Sequence, residues 1–330
     1  MLLLLLLVVV LGSPLGALGK AAPHTSNYAL IVDTSMNYFN YRHVANSLAV
    51  YRAVKAGGIP DNNIILMLAE DIACNARNPF KGSVFDDDSK RIDLFDSSVQ
   101  VDYRGEEVTV ENVLRVISGR HLEGTPKSKR LDSTVNSNVL MYFSGHGGDG
   151  FLKFRDTTTM SSPDIAAAVA QMKQKGRFRE LLFVVDTCQA GTLFEDFVAI
   201  PDVVAIGSSV RGESSYSLTH DYELGVAVTD RFTYHLLRYF EQQQQHTRRN
   251  LMNLFQSFSY AKLHSHATWH SSLNRDLGQV LVTDFFSAVL DVKRTANTPR
   301  TKLNRTMATA AAEEPAAAEE DWDYPLPLFL

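Results

Sequence analysis

An α/β fold built on a mostly parallel sheet, with helices on both faces, is predicted by three features of the sequence. Short runs rich in Val, Ile, Leu and Phe recur along the chain, and segments of helical spacing separate them. The runs are continuously apolar rather than alternating, as strands covered on both faces are. With 330 residues, 45% of them hydrophobic, the chain is long enough to bury such a sheet.

The elements follow in order. "MLLLLLLVVVLGSPLGALGK" opens the chain with an apolar run too short to cross a bilayer, which predicts a signal peptide over 1–19 and cleavage before Lys20, with a retained anchor as the alternative because the n-region carries little charge. That places the mature chain in an oxidising compartment, where two cysteines are too few for a disulfide scaffold. Tyr28–Thr34 reads as the first strand, and a helix follows from about His43 to its stop at Gly57–Gly58. Asn63–Ala69 is the second strand, and a long polar stretch leads to a helix near Val110–Ile117. The third strand is Asn138–Gly145. The next helix takes Ser162 as N-cap and Pro163 at its first position. Leu181–Val185 is the fourth strand and Val203–Ser209 the fifth, followed by a helix in "DRFTYHLLRYFEQQQQ". "QVLVTDFFSAVL" reads as a final strand or mixed element. From 292 to 330 the composition shifts to Ala, Glu, Pro and Thr, which predicts a disordered tail after a domain spanning 20–291. The net charge of −5 gives no pull toward nucleic acid, and no nucleic-acid partner is expected.

Parallel sheets place their chemistry outside the carboxyl ends of the strands. The third strand runs into "SGHGGDG", which puts His146 among glycines, and the fourth runs into "DTCQAG", which puts Cys188 on a turn. A cysteine there is either a small core residue or an exposed nucleophile. Its pairing with a histidine after the preceding strand favours the nucleophile. A thiolate can attack an acyl carbon while the imidazole moves the protons, and turn amides can receive the oxyanion.

"MYFSGHGGDGFLKF" and "LLFVVDTCQAG" resemble the GPI-transamidase catalytic subunits, a branch of the legumain-like cysteine peptidases with a caspase-like fold. The similarity runs from about Asn27 to Leu290 and includes "NYFNYRHVANSLAVYRAVKAGGIPDNNIILMLAEDIACNARNP". Legumain-type endopeptidases usually carry Glu-Ala-Cys-Glu-Ser-Gly at the nucleophile, whereas Asp186-Thr187-Cys188-Gln189-Ala190 stands here. The resemblance implies Cys188 as nucleophile, His146 as general base and acid, and the amides of Gly147 and Cys188 as the oxyanion hole. It implies Asn40 as the residue that orients the histidine; read alone, Asn40 serves equally as a turn residue. Ser208, Ser215 and Ser217 fall in the segment that lines the substrate groove of such enzymes.

The implied reaction removes a C-terminal signal peptide from a proprotein and passes the new carboxyl, held as a thioester, to the ethanolamine amine of a GPI glycolipid. A legumain-like endopeptidase and an inactive scaffold subunit are the alternatives. No cofactor is required by that chemistry. Family positions for a structural calcium fall on Asp61, the Ile64 carbonyl and Asp102, with Gln100 where an acidic ligand is expected. Cys74, left without a partner if Cys188 stays a thiol, matches a position that crosslinks to another subunit of the complex. The expected setting is the lumen of the endoplasmic reticulum, with the chain held at the membrane by partners. Asn304-Arg305-Thr306 is a glycosylation sequon in the tail.

Overall fold

The structure, a computed structural model, describes residues 24–241 and 249–289. The expected signal peptide, the tail and Asn304 lie outside the described residues. In chain order the strands are β1 (Ser26–Asp33), β2 (Ile64–Leu68), β3 (Tyr103–Arg104), β4 (Ser137–Ser144), β5 (Gly147–Gly148), β6 (Phe151–Phe154), β7 (Thr158–Ser161), β8 (Glu180–Asp186), β9 (Val203–Gly207), β10 (Ser217–Asp221), β11 (Val226–Asp230) and β12 (Thr268–Ser271). The helices are α1 (Tyr41–Ala56), α2 (Val110–Ser118), α3 (Ser162–Gln174), α4 (Arg231–Glu241), α5 (Leu251–Ser257), α6 (Tyr260–Leu263) and α7 (Thr283–Phe286).

Seven strands form the main sheet in the order β12-β9-β8-β4-β1-β2-β3. All neighbours are parallel except β12, which runs antiparallel to β9 at the edge. Apolar side chains cover both faces, with period-2 alternation sorting them between two layers. Ile31, Tyr142, Val184 and Ile206 pack with Leu48 and Val54 of α1 and with Phe232 and Leu236 of α4. Their sequence neighbours Leu30, Phe143, Phe183 and Ala205 pack on the opposite face with Val113 and Val116 of α2 and Ile165 and Val169 of α3. This two-sided burial is why the central strands lack polar alternation, and it bears out the predicted fold class. Two smaller antiparallel pieces, β5–β6–β7 and β10–β11, decorate the carboxyl-end side.

Three expectations need correcting. The cap of α3 is Ser161, not Ser162: Ser161 Oγ accepts from the Asp164 amide, and the Asp164 carboxylate reaches back to the Ser161 amide. Ser162 instead donates its hydroxyl to Asp196. Of the two readings of "QVLVTDFF" the mixed element holds and the strand does not, since the segment follows a tight 3-10 turn at Leu277–Gln279 with a single bridge at Leu281 and the short α7. The last strand is β12, whose "TWHS" was passed over because half of it is polar.

Candidate active site

The register of β4 against β8 pairs Ser144 with Asp186, so His146 and Cys188 each stand two residues beyond a matched strand end. The Gly145 amide donates to the Asp186 carbonyl, and the two loops touch at the next step. A Cβ built on Gly147 would lie 2.5 Å from Thr187 Oγ1 and 2.9 Å from the Phe151 carbonyl oxygen, so only glycine fits there. The Gly150 amide donates to Thr192 Oγ1, which ties the far side of the histidine loop to the helix that follows the cysteine.

His146 is half-buried and its Nε2 lies 2.8 Å from Asn40 Oδ1. Asn40 Nδ2 donates to the Met36 carbonyl at 2.6 Å, which turns the amide oxygen toward the ring. An amide oxygen only accepts, so Nε2 carries the proton and Nδ1 is left as the free base. Burial holds the His146 pKa below its ordinary value, with the charge of Arg42 acting in the same direction. The ring is therefore neutral at pH 7, as a general base must be.

Cys188 is half-buried on a turn that is braced on every side. Ser208 Oγ accepts from the Thr187 amide at 3.1 Å and donates to the Thr187 carbonyl at 3.0 Å. Gln189 takes a left-handed φ of 54°, held there by its amide donating to the Glu213 carbonyl and by its side-chain oxygen accepting from the Gly212 amide. The Ala190 amide donates to Ser209 Oγ. Among the described residues the Cys188 amide, in the middle of this set, has no acceptor. Gly147 sits at a non-hydrogen-bonded position of the β5–β6 pair, because Lys153 bonds to His146 one step earlier, so its N–H points away from β6.

The serines separate. Ser208 is fully buried and holds the cysteine turn, so it does not face a groove as expected. Replacing it with Ala leaves the buried Thr187 amide unpaired. A loss of about 1–3 kcal/mol in unfolding free energy is expected from chemical denaturation. Ser215 is half-buried and donates to Asp186 Oδ1 at 2.7 Å. Ser217 is exposed at the start of β10.

Sequence reasoning passed over a polar well built beside the pair. Arg42 and Asn46, one turn apart on α1, both bond Asp230 at the end of β11. His43 lies between them, its ring edge-on to His146 with centroids 5.0 Å apart and its Nδ1 2.8 Å from Ser35 Oγ. Burial pushes the Asp230 carboxyl up to about 7, and the nearby charge of Asp186 adds to the effect. Asp186 is itself raised by burial and is bonded by Thr233 and Ser215. The i, i+4 spacing of Arg42 and Asn46 was a readable signal of a shared partner; the identity of that partner, far along the chain, was not.

The calcium positions are less complete. Asp61 Oδ1 accepts from Tyr51 and lies 3.1 Å from Lys55 Nζ, while Asp102 Oδ2 accepts from the Leu66 amide. Burial raises Asp102 to about 6, and the charge of Asp61 adds to this. Two carboxylates and the Ile64 carbonyl supply at most about five hard oxygens, short of the six to eight that calcium takes. No cluster of three or more acidic, histidine or cysteine ligands occurs among the described residues. Cys74 is exposed, well removed in sequence from the site, with its amide on Asp71 Oδ1.

These features can be set against known proteins. The peptidase C13 family model matches residues 27–287. The GPI-anchor transamidase of Saccharomyces cerevisiae is 51% identical over 272 residues, 82% of this chain and 66% of that protein. The GPI-anchor transamidase of Mus musculus is 44% identical over 298 residues, 90% of this chain and 75% of that protein. The chain thus spans about two thirds to three quarters of the length of these relatives. Among solved structures, caspase-1 of Spodoptera frugiperda aligns with 78% of this chain and 92% of its own, at 15% identity and a TM-score of 0.43. The resemblance read from the sequence motifs is borne out, and the chain belongs to the peptidase C13 family of cysteine-type enzymes.

Proposed function

We propose that the chain is the catalytic subunit of a GPI-anchor transamidase, with Cys188 as nucleophile. The observation that carries the reading is the placement of His146, oriented by Asn40, and Cys188 at matched ends of adjacent parallel strands. In this mechanism His146 Nδ1 takes the Cys188 proton, and the thiolate attacks the carbonyl carbon of the scissile peptide bond. The oxyanion is received by the Gly147 and Cys188 amides. The departing amine takes the proton from His146, leaving a thioester. The ethanolamine amine of the glycolipid then attacks the thioester and gives its proton to His146, which passes it to the departing sulfur so that Cys188 is released as a thiol. The well of Arg42, His43, Asp186, Asp230 and Ser215 would receive the residue that carries the scissile carbonyl.

Because His146 is held neutral by burial, rate should persist as pH falls to the ordinary histidine value and decline only below it. Asn40→Ala frees the ring and is expected to cost about 10-fold in kcat while moving that acid limb upward; an unmoved limb would show that Asn40 does not orient His146. The competing hydrolase reading is tested by adding hydrazine to the purified complex with a proprotein substrate. Hydrazide product at the new C-terminus is expected, and free carboxylate alone would mark an endopeptidase.

The setting that goes with this reading is a complex at the membrane of the endoplasmic reticulum; among the described residues no helix is long and apolar enough to cross a membrane. In the proposed assembly, partner subunits hold the chain at the membrane, and exposed Cys74 forms a disulfide with one of them. Non-reducing electrophoresis of the complex should show a heavier band that reductant and Cys74→Ser each abolish. Migration unchanged by reductant would overturn the tether. Calcium on Asp61, Ile64 and Asp102 would be structural only and enters no step.

A further inference from the structure

A large groove lies away from the Cys–His pair, between α2 and α3. Its volume is about 870 Å³, and it follows α2 from Val110 to Ser118, continues to Arg120, and follows α3 from Asp164 to Gln171. A helix the length of α2 is about 13 Å long, which matches about four residues of extended chain. The floor is apolar, formed by Val110, Leu114 and Ala168.

The rim carries three arginines in different states. Arg115 is paired with Glu111, and Arg155 with Glu106. Both glutamates are largely exposed, so the pairs are weak and can exchange partners at little cost. Arg120 is exposed, and among the described residues its guanidinium has no ion pair or hydrogen bond. Beyond it the positive charge continues. Arg177 and Lys175 reach back to the last carbonyls of α2, and Arg130 bonds the Thr125 carbonyl. His121 is held below its ordinary pKa first by burial and then by Arg177 and Arg130, a sign of how densely cations crowd this end. Glu111 and Asp164 also line the groove, so its surplus of positive charge lies at the Arg120 end, with Arg177, Lys175 and Arg130 beyond it.

A second feature points to the kind of ligand. Gln171 lines the groove, and its Oε1 is buried with no hydrogen-bond partner. A buried carboxamide oxygen left unpaired costs free energy until a donor arrives, and a peptide N–H is a matching donor. With the Thr157 and Thr159 hydroxyls also lining the groove, it offers main-chain partners along an apolar floor. No aromatic side chain lines it, as a lipid-surface site would favour.

We propose that the α2–α3 groove docks a short acidic segment of a partner protein, whose main chain bonds Gln171 and whose carboxylates pair with Arg120 and Arg115. The proposal rests on the reading of this chain as one subunit of a complex. Arg155 at the other end of the groove pairs with Glu106, two residues from Arg104, whose charge reaches Cys74.

The test introduces benzoylphenylalanine at exposed Ala167 in the intact complex and maps the photo-crosslink by peptide sequencing. A crosslink to a subunit segment with more Asp and Glu than Lys and Arg is expected. Its yield should fall at least tenfold with Arg120→Glu and be unchanged by Lys262→Glu, which lies on α6. Adducts on lipid, on a second copy of this chain or on a non-acidic segment would overturn the proposal, as would no adduct or indifference to Arg120→Glu. Hydrazine capture is measured on the same preparations. Capture without the crosslink sinks the groove alone, and the crosslink without capture sinks the transamidase reading alone.

Discussion

Replacing Cys188 with Ala is expected to abolish attachment activity, by at least about 10³-fold, with the melting temperature little changed. The side chain is half-buried, and the turn that carries it is held by Ser208, Ser209 and Glu213 through backbone groups rather than through the thiol. The fold therefore survives while the nucleophile is lost. His146→Ala should do equal damage, because thiol and imidazole act as one unit. The double variant should be no worse than either single one. Substantial turnover by Cys188→Ala in a cell-free assay would remove the cysteine from the chemistry.

The second large effect is expected from a single methyl group. Gly147→Ala would place its Cβ 2.5 Å from Thr187 Oγ1 and 2.9 Å from the Phe151 carbonyl oxygen. The Thr187 hydroxyl can be removed by substitution, but a backbone oxygen of the paired strand β6 cannot move without carrying β5–β6 with it. In the proposed mechanism the Gly147 amide is then displaced from where it would receive the oxyanion. A loss of about 10²–10³ in kcat is expected, the range found when one oxyanion donor is removed. Thr187→Ala in the same chain should fail to rescue it, because the Phe151 contact remains. Full rescue would mean that the clash with the Thr187 hydroxyl alone matters.

How much was legible follows from what each residue does locally. The central strands β1, β2, β4, β8 and β9 are buried on both faces, so their apolar runs announced them without any knowledge of neighbours. Cys188 and His146 were legible for a related reason: each ends such a run, and the parallel sheet gathers those ends. Ser208 was placed in the groove only through the segment it belongs to, whereas its buried hydroxyl bonds the Thr187 amide and carbonyl. Asp230 was invisible because its importance comes from Arg42 and Asn46, brought to it only by packing α1 against β11. β12 was missed because an edge strand with one covered face needs little apolar sequence.

The central claim is a thioester on Cys188 formed with the help of His146, and trapping that intermediate tests it most directly. Purified complex would be mixed with a labelled proprotein, quenched in acid within one turnover, digested and mapped by mass spectrometry. The account predicts the acyl fragment on the peptide containing Cys188, released by hydroxylamine and absent from His146→Ala. Signal-peptide release with no acylated Cys188, and with oxygen from labelled water in every new carboxyl, would contradict it.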